Sequence, residues 1–101
     1  MKKDILNEIF ETLSGVGVVS TEGEFSQDWL GHCESYLRTL RFKNAEPSLG
    51  TIAICASRLQ NAADQLGALP RYQPLAKQLV SMSNKCRSLV DADSVEFDLA
   101  G

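Results

Sequence analysis

The sequence is short of the residues that chemistry uses most. It has one histidine, His32, and three separated cysteines, Cys33, Cys55 and Cys86, with no CxxC pair. An odd number of distant thiols builds no disulfide framework. His32 beside Cys33 offers two adjacent ligands, but the short ligand spacing of structural zinc sites is missing. No metal is expected, and the cysteines are expected as buried, reduced thiols. There is no glycine-rich phosphate loop, nucleophile elbow or HExxH sequence. Cys33, near the start of an expected helix, could have a lowered pKa, which alone makes no catalytic site. No enzyme activity and no cofactor are expected.

Long apolar runs are lacking too. None approaches the roughly 20 residues of a membrane-spanning helix. Asp4, Glu8 and Glu11 interrupt the segment after the lysines at positions 2 and 3, leaving no apolar signal-peptide core. A cytoplasmic protein without membrane contact is expected. Positive charge is absent from residues 4–28, which hold Asp4, Glu8, Glu11, Glu22, Glu24 and Asp28. Residues 29–90 reverse the balance, with eight basic residues against Glu34, Glu46 and Asp64. The end is acidic again, with Asp91, Asp93, Glu96 and Asp98. The net charge of −3 therefore conceals a lopsided molecule compatible with one basic face.

What remains is ordinary globular material: 44% hydrophobic and 23% charged residues in a chain of 101, enough for one domain with a modest core. Ile5, Leu6, Ile9, Phe10 and Leu13 predict a first helix over residues 4–14, ended by Gly15 and Gly17. Thr21 with Glu24 has the form of a capping box and opens a second helix over 22–30, with Phe25, Trp29 and Leu30 inward. Gly31 breaks it, and Tyr36, Leu37 and Leu40 mark a third. Asn44–Pro47 is a loop. Ser48 caps a fourth helix running to Leu66, rich in small residues and closed by Gly67 and Pro70. Pro74 suits the first turn of a fifth, whose stripe through Leu75, Leu79, Cys86 and Val90 serves either as core or as a dimer seam. The expected fold is all-α: five helices in one domain over residues 1–90, followed by a loose acidic tail at 91–101 in which Val95, Phe97 and Leu99 alternate.

The segment from Trp29 to Arg41, Trp-Leu-Gly-His-Cys-Glu-Ser-Tyr-Leu-Arg-Thr-Leu-Arg, resembles the turn and recognition helix of lambda-repressor-like (Xre-type) helix-turn-helix domains. Leu30 and Gly31 fill the turn, and Cys33 stands where the N-cap serine is usual. Leu37 takes the place of the buried aliphatic, and Pro47-Ser48-Leu49 opens the next helix at the family's spacing. Gln27 falls near the position where the second helix usually carries a small residue. The similarity covers roughly residues 24–60, with the fifth helix as a C-terminal addition.

The resemblance implies a transcription regulator binding duplex DNA, as a homodimer. Its third helix would enter the major groove, with Ser35, Arg38 and Thr39 toward base edges, alongside Glu34. Arg41, Lys43 and Asn44 would lie near phosphates. Tyr36 is either a groove residue or a half-buried tyrosine, Trp29 is expected in the core, and His32 is expected to face solvent in the turn. The acidic flanks support a different reading: a protein-interaction module, of the kind phage or mobile elements carry, on a helix-turn-helix scaffold that no longer binds DNA.

Overall fold

The computed structural model describes residues 2–100, and within them the side chains of residues 2–92. Among the described residues there are five α-helices: α1 (Lys2–Gly15), α2 (Glu22–Asp28), α3 (Tyr36–Lys43), α4 (Leu49–Leu66) and α5 (Gln73–Ala100). A 3₁₀ turn, Pro70–Tyr72, leads into α5. The expected all-helical, five-helix architecture is the architecture observed, and no described helix is long and apolar enough to cross a membrane.

Two helix starts arise directly from local chemistry. At the start of α2, the Thr21 hydroxyl accepts the Glu24 amide at 3.1 Å. At the start of α4, the Ser48 hydroxyl accepts the Thr51 amide at 3.2 Å. Each satisfies one of the amides that a helix leaves without an internal partner. The start of α1 is capped from a distance: the Lys3 amide donates to the Glu46 carboxylate at 2.9 Å, and Lys3 Nζ donates to Asn44 Oδ1 at 2.5 Å. The first of these contacts is the main reason that the Glu46 carboxyl is held below its ordinary pKa.

The core joins all five helices. Leu6, Ile9 and Leu13 of α1, Phe25 of α2, Leu37 of α3, Ile52 and Leu59 of α4, and Leu79 of α5 are essentially without exposure. The antiparallel pair α4 and α5 makes the largest contact, and small side chains let the two helices approach closely. Ser83 donates to the Ala56 carbonyl at 2.8 Å inside this seam. Cys55 and Cys86 face each other in the same layer, where a hydrogen bond to Cys86 and burial push the Cys55 thiol up. Ala76, Leu79, Met82 and Cys86 are thus used within one chain, so this part of the α5 stripe is core, while Leu75, Val80, Leu89 and Val90 are partly buried against it.

Three expectations need correction. The helix α5 continues to Ala100, in place of the expected loose tail after Val90. No glycine or proline stands between Asp91 and Ala100, and an established helix needs no apolar stripe to propagate when breakers are absent. The alternation of Val95, Phe97 and Leu99 lies outside the residues whose side chains are described. Cys33 is exposed, while Cys55 and Cys86 alone are buried. Finally, α2 stops at Asp28 and α3 begins only at Tyr36, so the connection Trp29–Ser35 is longer than the tight turn expected, and Ser35, not Cys33, is the residue at the helix N-cap.

Candidate nucleic-acid interface on α3

The helix α3 is short, and its two ends are held by other elements. Ser35 makes no side-chain cap. Instead Ser26, fully buried on α2, accepts the Leu37 amide at 3.3 Å. Ser26 is therefore the small residue at the α2–α3 contact, and Gln27 beside it is exposed. At the other end Asn44 adopts the left-handed conformation (φ 51°) and its amide returns to Arg41 and Leu40, a common way to finish a helix.

The connection before α3 is fastened to α4. Gly31 takes φ +71°, a conformation in which a side chain's Cβ would be strained. Leu30 drops into the core beside it with no exposure. Arg58 of α4 donates to the carbonyls of Gln27 at 3.1 Å and Asp28 at 2.7 Å. It thereby satisfies acceptors at the C-terminus of α2, where a cation also suits the helix dipole. His32 stacks on Tyr36, with ring centroids 3.7 Å apart and planes within 5°. The His32 Nε2 lies 2.8 Å from the buried Thr51 hydroxyl, which also receives the Tyr36 hydroxyl at 3.4 Å. His32 is thus exposed, as expected of a turn residue, yet it is fixed. Tyr36 is half-buried and engaged, as the second of the two alternatives for it has it. Trp29 is likewise half-buried, at the edge of the core.

With Leu37 and Leu40 turned into the core, the opposite side of α3 is set. At about 100° per residue, Ser35, Arg38, Thr39 and Phe42 share one arc of about 100° directly opposite those two leucines. Arg41 and Lys43 lie on its two flanks. Arg38, Thr39, Phe42 and Lys43 are exposed. No acidic residue occurs within α3. Of the residues expected at an interface, Ser35, Arg38 and Thr39 are brought together. Arg41 and Asn44 are occupied: Arg41 pairs with Glu22 of α2 at 2.5 Å, and Asn44 holds Lys3. The hydrogen bond to Glu22 raises the Arg41 pKa further above its already high ordinary value. Both partners are substantially exposed, so the pair is worth little.

Between α3 and the start of α2 lies a polar cleft of about 440 Å³, lined by Thr21, Glu22, Gly23, Glu34, Arg38 and Arg41. Close approach of α2 to the connection before α3 depends on Gly23, where an added Cβ would stand 3.1 Å from the Glu34 Cβ. At the mouth of the α3 face, Cys33 Sγ is 3.4 Å from the Ser35 hydroxyl, and this contact lowers the Cys33 pKa.

Sequence reasoning missed Phe42, the most exposed large hydrophobic residue among those described, at 90%. An aromatic at the end of an amphipathic segment passes easily for core. The signal was its register: it stands seven residues after Ser35 and four after Arg38, out of phase with Leu37 and Leu40.

These features define a small all-helical domain that presents one polar, basic helix face around a single exposed aromatic. The chain belongs to a family of unknown function (DUF6626), whose model matches residues 6–98. No curated protein and no solved structure shows significant similarity to it.

Proposed function

We propose that the protein is a DNA-binding transcriptional regulator of helix-turn-helix type, with α3 as its recognition helix. The observation that carries this reading is the outward arc of α3. It presents Ser35, Arg38 and Thr39 opposite the core, free of acidic residues, with the cations Arg41 and Lys43 on either flank. Spacing of i, i+3, i+4 and i+7 is how a recognition helix addresses successive base edges, and flanking cations suit the phosphates on both sides of a groove. Arg38, in the first turn of the helix, is the residue for a guanine edge. A phosphate would take Arg41 over from Glu22, a weak exposed pair. The reading includes a homodimer, since two-fold symmetry doubles the contacts on a near-palindromic site, and a cytoplasmic location.

Binding to random-sequence duplex DNA, followed by fluorescence anisotropy from about 20 to 200 mM salt, tests this reading. Affinity should fall steeply with salt. Replacing both Arg38 and Arg41 with alanine should weaken binding by about 1–3 kcal/mol or more. Glu22→Gln should tighten it, because it frees Arg41 and removes a carboxylate from the phosphate side. Unchanged affinity in the double variant would refute the assignment of α3.

A second reading, a protein-interaction module on the same scaffold, is favoured by the acidic surface of α1 and α2 and by the acidic end of α5. A lack of duplex binding even at the lowest salt would decide for it.

A further inference from the structure

Among the described residues, Phe42 is the large hydrophobic side chain that packing uses least. It is 90% exposed, sits opposite the core-facing Leu37 and Leu40, and is no part of the aromatic contacts that Phe10, Phe25, His32 and Tyr36 make. Leaving so large an apolar side chain in water forgoes the stabilisation that burial would give. Its position is specific: it occupies the middle of the arc shared by Ser35, Arg38 and Thr39, with Arg41 and Lys43 flanking it. A surface built this way pairs one apolar contact with cations on both sides. Among nucleic-acid features, the thymine C5-methyl is the apolar group displayed in the major groove, and it lies between phosphate rows that suit those cations.

Resting on the DNA-binding reading above, we infer that Phe42 is a specificity-determining residue that packs against thymine methyl groups, so that the site contacted by the last turn of α3 contains an A·T step. Arg38, one turn earlier on the same arc, then addresses a neighbouring base pair. The diameter of an α-helix with its side chains, about 10–12 Å, matches the width of the major groove, about 12 Å. A recognition helix can read bases from residues spaced i, i+3, i+4 and i+7 along it, the spacing of Ser35, Arg38, Thr39 and Phe42.

The test compares a 24-base-pair alternating dA·dT duplex with its dA·dU counterpart, which lacks only the methyl groups, by anisotropy at about 20 mM salt. The wild-type chain should bind the dA·dT duplex about fourfold more tightly for each methyl buried. In Phe42→Ala that ratio should fall to about one, and in Phe42→Leu, which keeps an apolar side chain, it should persist in part. Phe42 lies outside the core, and matching thermal melts of the three proteins would confirm that the variants fold. Binding that ignores the methyl groups, or a ratio that survives in Phe42→Ala, would overturn this inference while leaving the DNA-binding reading intact; the first result is also what a Phe42 reserved for a protein partner would give. No binding to either duplex would overturn both.

Discussion

At the scale of single residues, the least conspicuous side chain is among the most consequential. Ser26 is fully buried, and its hydroxyl serves an amide at the start of a different helix. Removing it leaves the Leu37 N–H in the interior without an acceptor, which costs about 1–3 kcal/mol. Ser26→Ala should therefore lower the thermal midpoint by several degrees, whereas Gln27→Ala, one residue along and exposed, should change stability by less than about 0.5 kcal/mol. Equal melting of the two variants would show that α3 starts without help from α2. Sequence reasoning looked for a small residue near Gln27 and missed Ser26, because a serine in a polar-looking segment shows nothing of its burial. Thr21 and Ser48 were legible because their hydroxyls serve amides three residues away.

Among the elements, the connection from α2 to α3 decides how the candidate interface is presented. It holds a left-handed Gly31, the His32–Tyr36 stack and the two bonds from Arg58. An alanine Cβ at Gly31 would meet Arg58 Nη2 only at 3.5 Å and Ile54 no closer than 3.7 Å, ordinary contacts. The cost of Gly31→Ala is therefore backbone strain, about 1–2 kcal/mol. Urea unfolding should register that loss, and anisotropy should show weaker duplex binding, since the strain acts where α3 is positioned. A variant as stable as the wild type would mean that the turn relaxes to an unstrained conformation. The glycine itself was plain in the sequence as a helix breaker. The length of the connection was not, since Trp29 and Leu30 fit a helical stripe. The segment leaves the helix at Asp28, where Arg58 supplies from α4 the donors that another turn of α2 would have supplied.

For the whole molecule, stability rests on the α4–α5 hairpin and the core it completes with α1. Leu79 lies at its centre without exposure. Leu79→Ala should cost about 2–5 kcal/mol through lost burial and the cavity left behind, measured by urea denaturation in a single transition. Retention of near-wild-type stability would mean that α5 is dispensable to the core and would restore its stripe as a surface for another chain. The electrical asymmetry also belongs to this scale. Acidic α2 packs against basic α3, and the Glu22–Arg41 and Glu8–Lys85 pairs join opposite charges across elements.

The helix count, the inward residues of α1, α4 and α5, and two of the helix caps were legible in the order of residues alone. Those properties depend on residues within one or two turns of each other, and a linear pattern records such distances directly. The helix-turn-helix resemblance also placed Ser35, Arg38 and Thr39 together. Packing in three dimensions settled that Ser26 caps α3 and that Arg58 ends α2. It alone decided that Arg41 and Asn44 are occupied by Glu22 and Lys3, that Cys33 is exposed, and that Phe42 stands in water. Each of these turns on which groups from distant parts of the chain compete for the same donor, acceptor or volume, and only the packed molecule brings those competitors together.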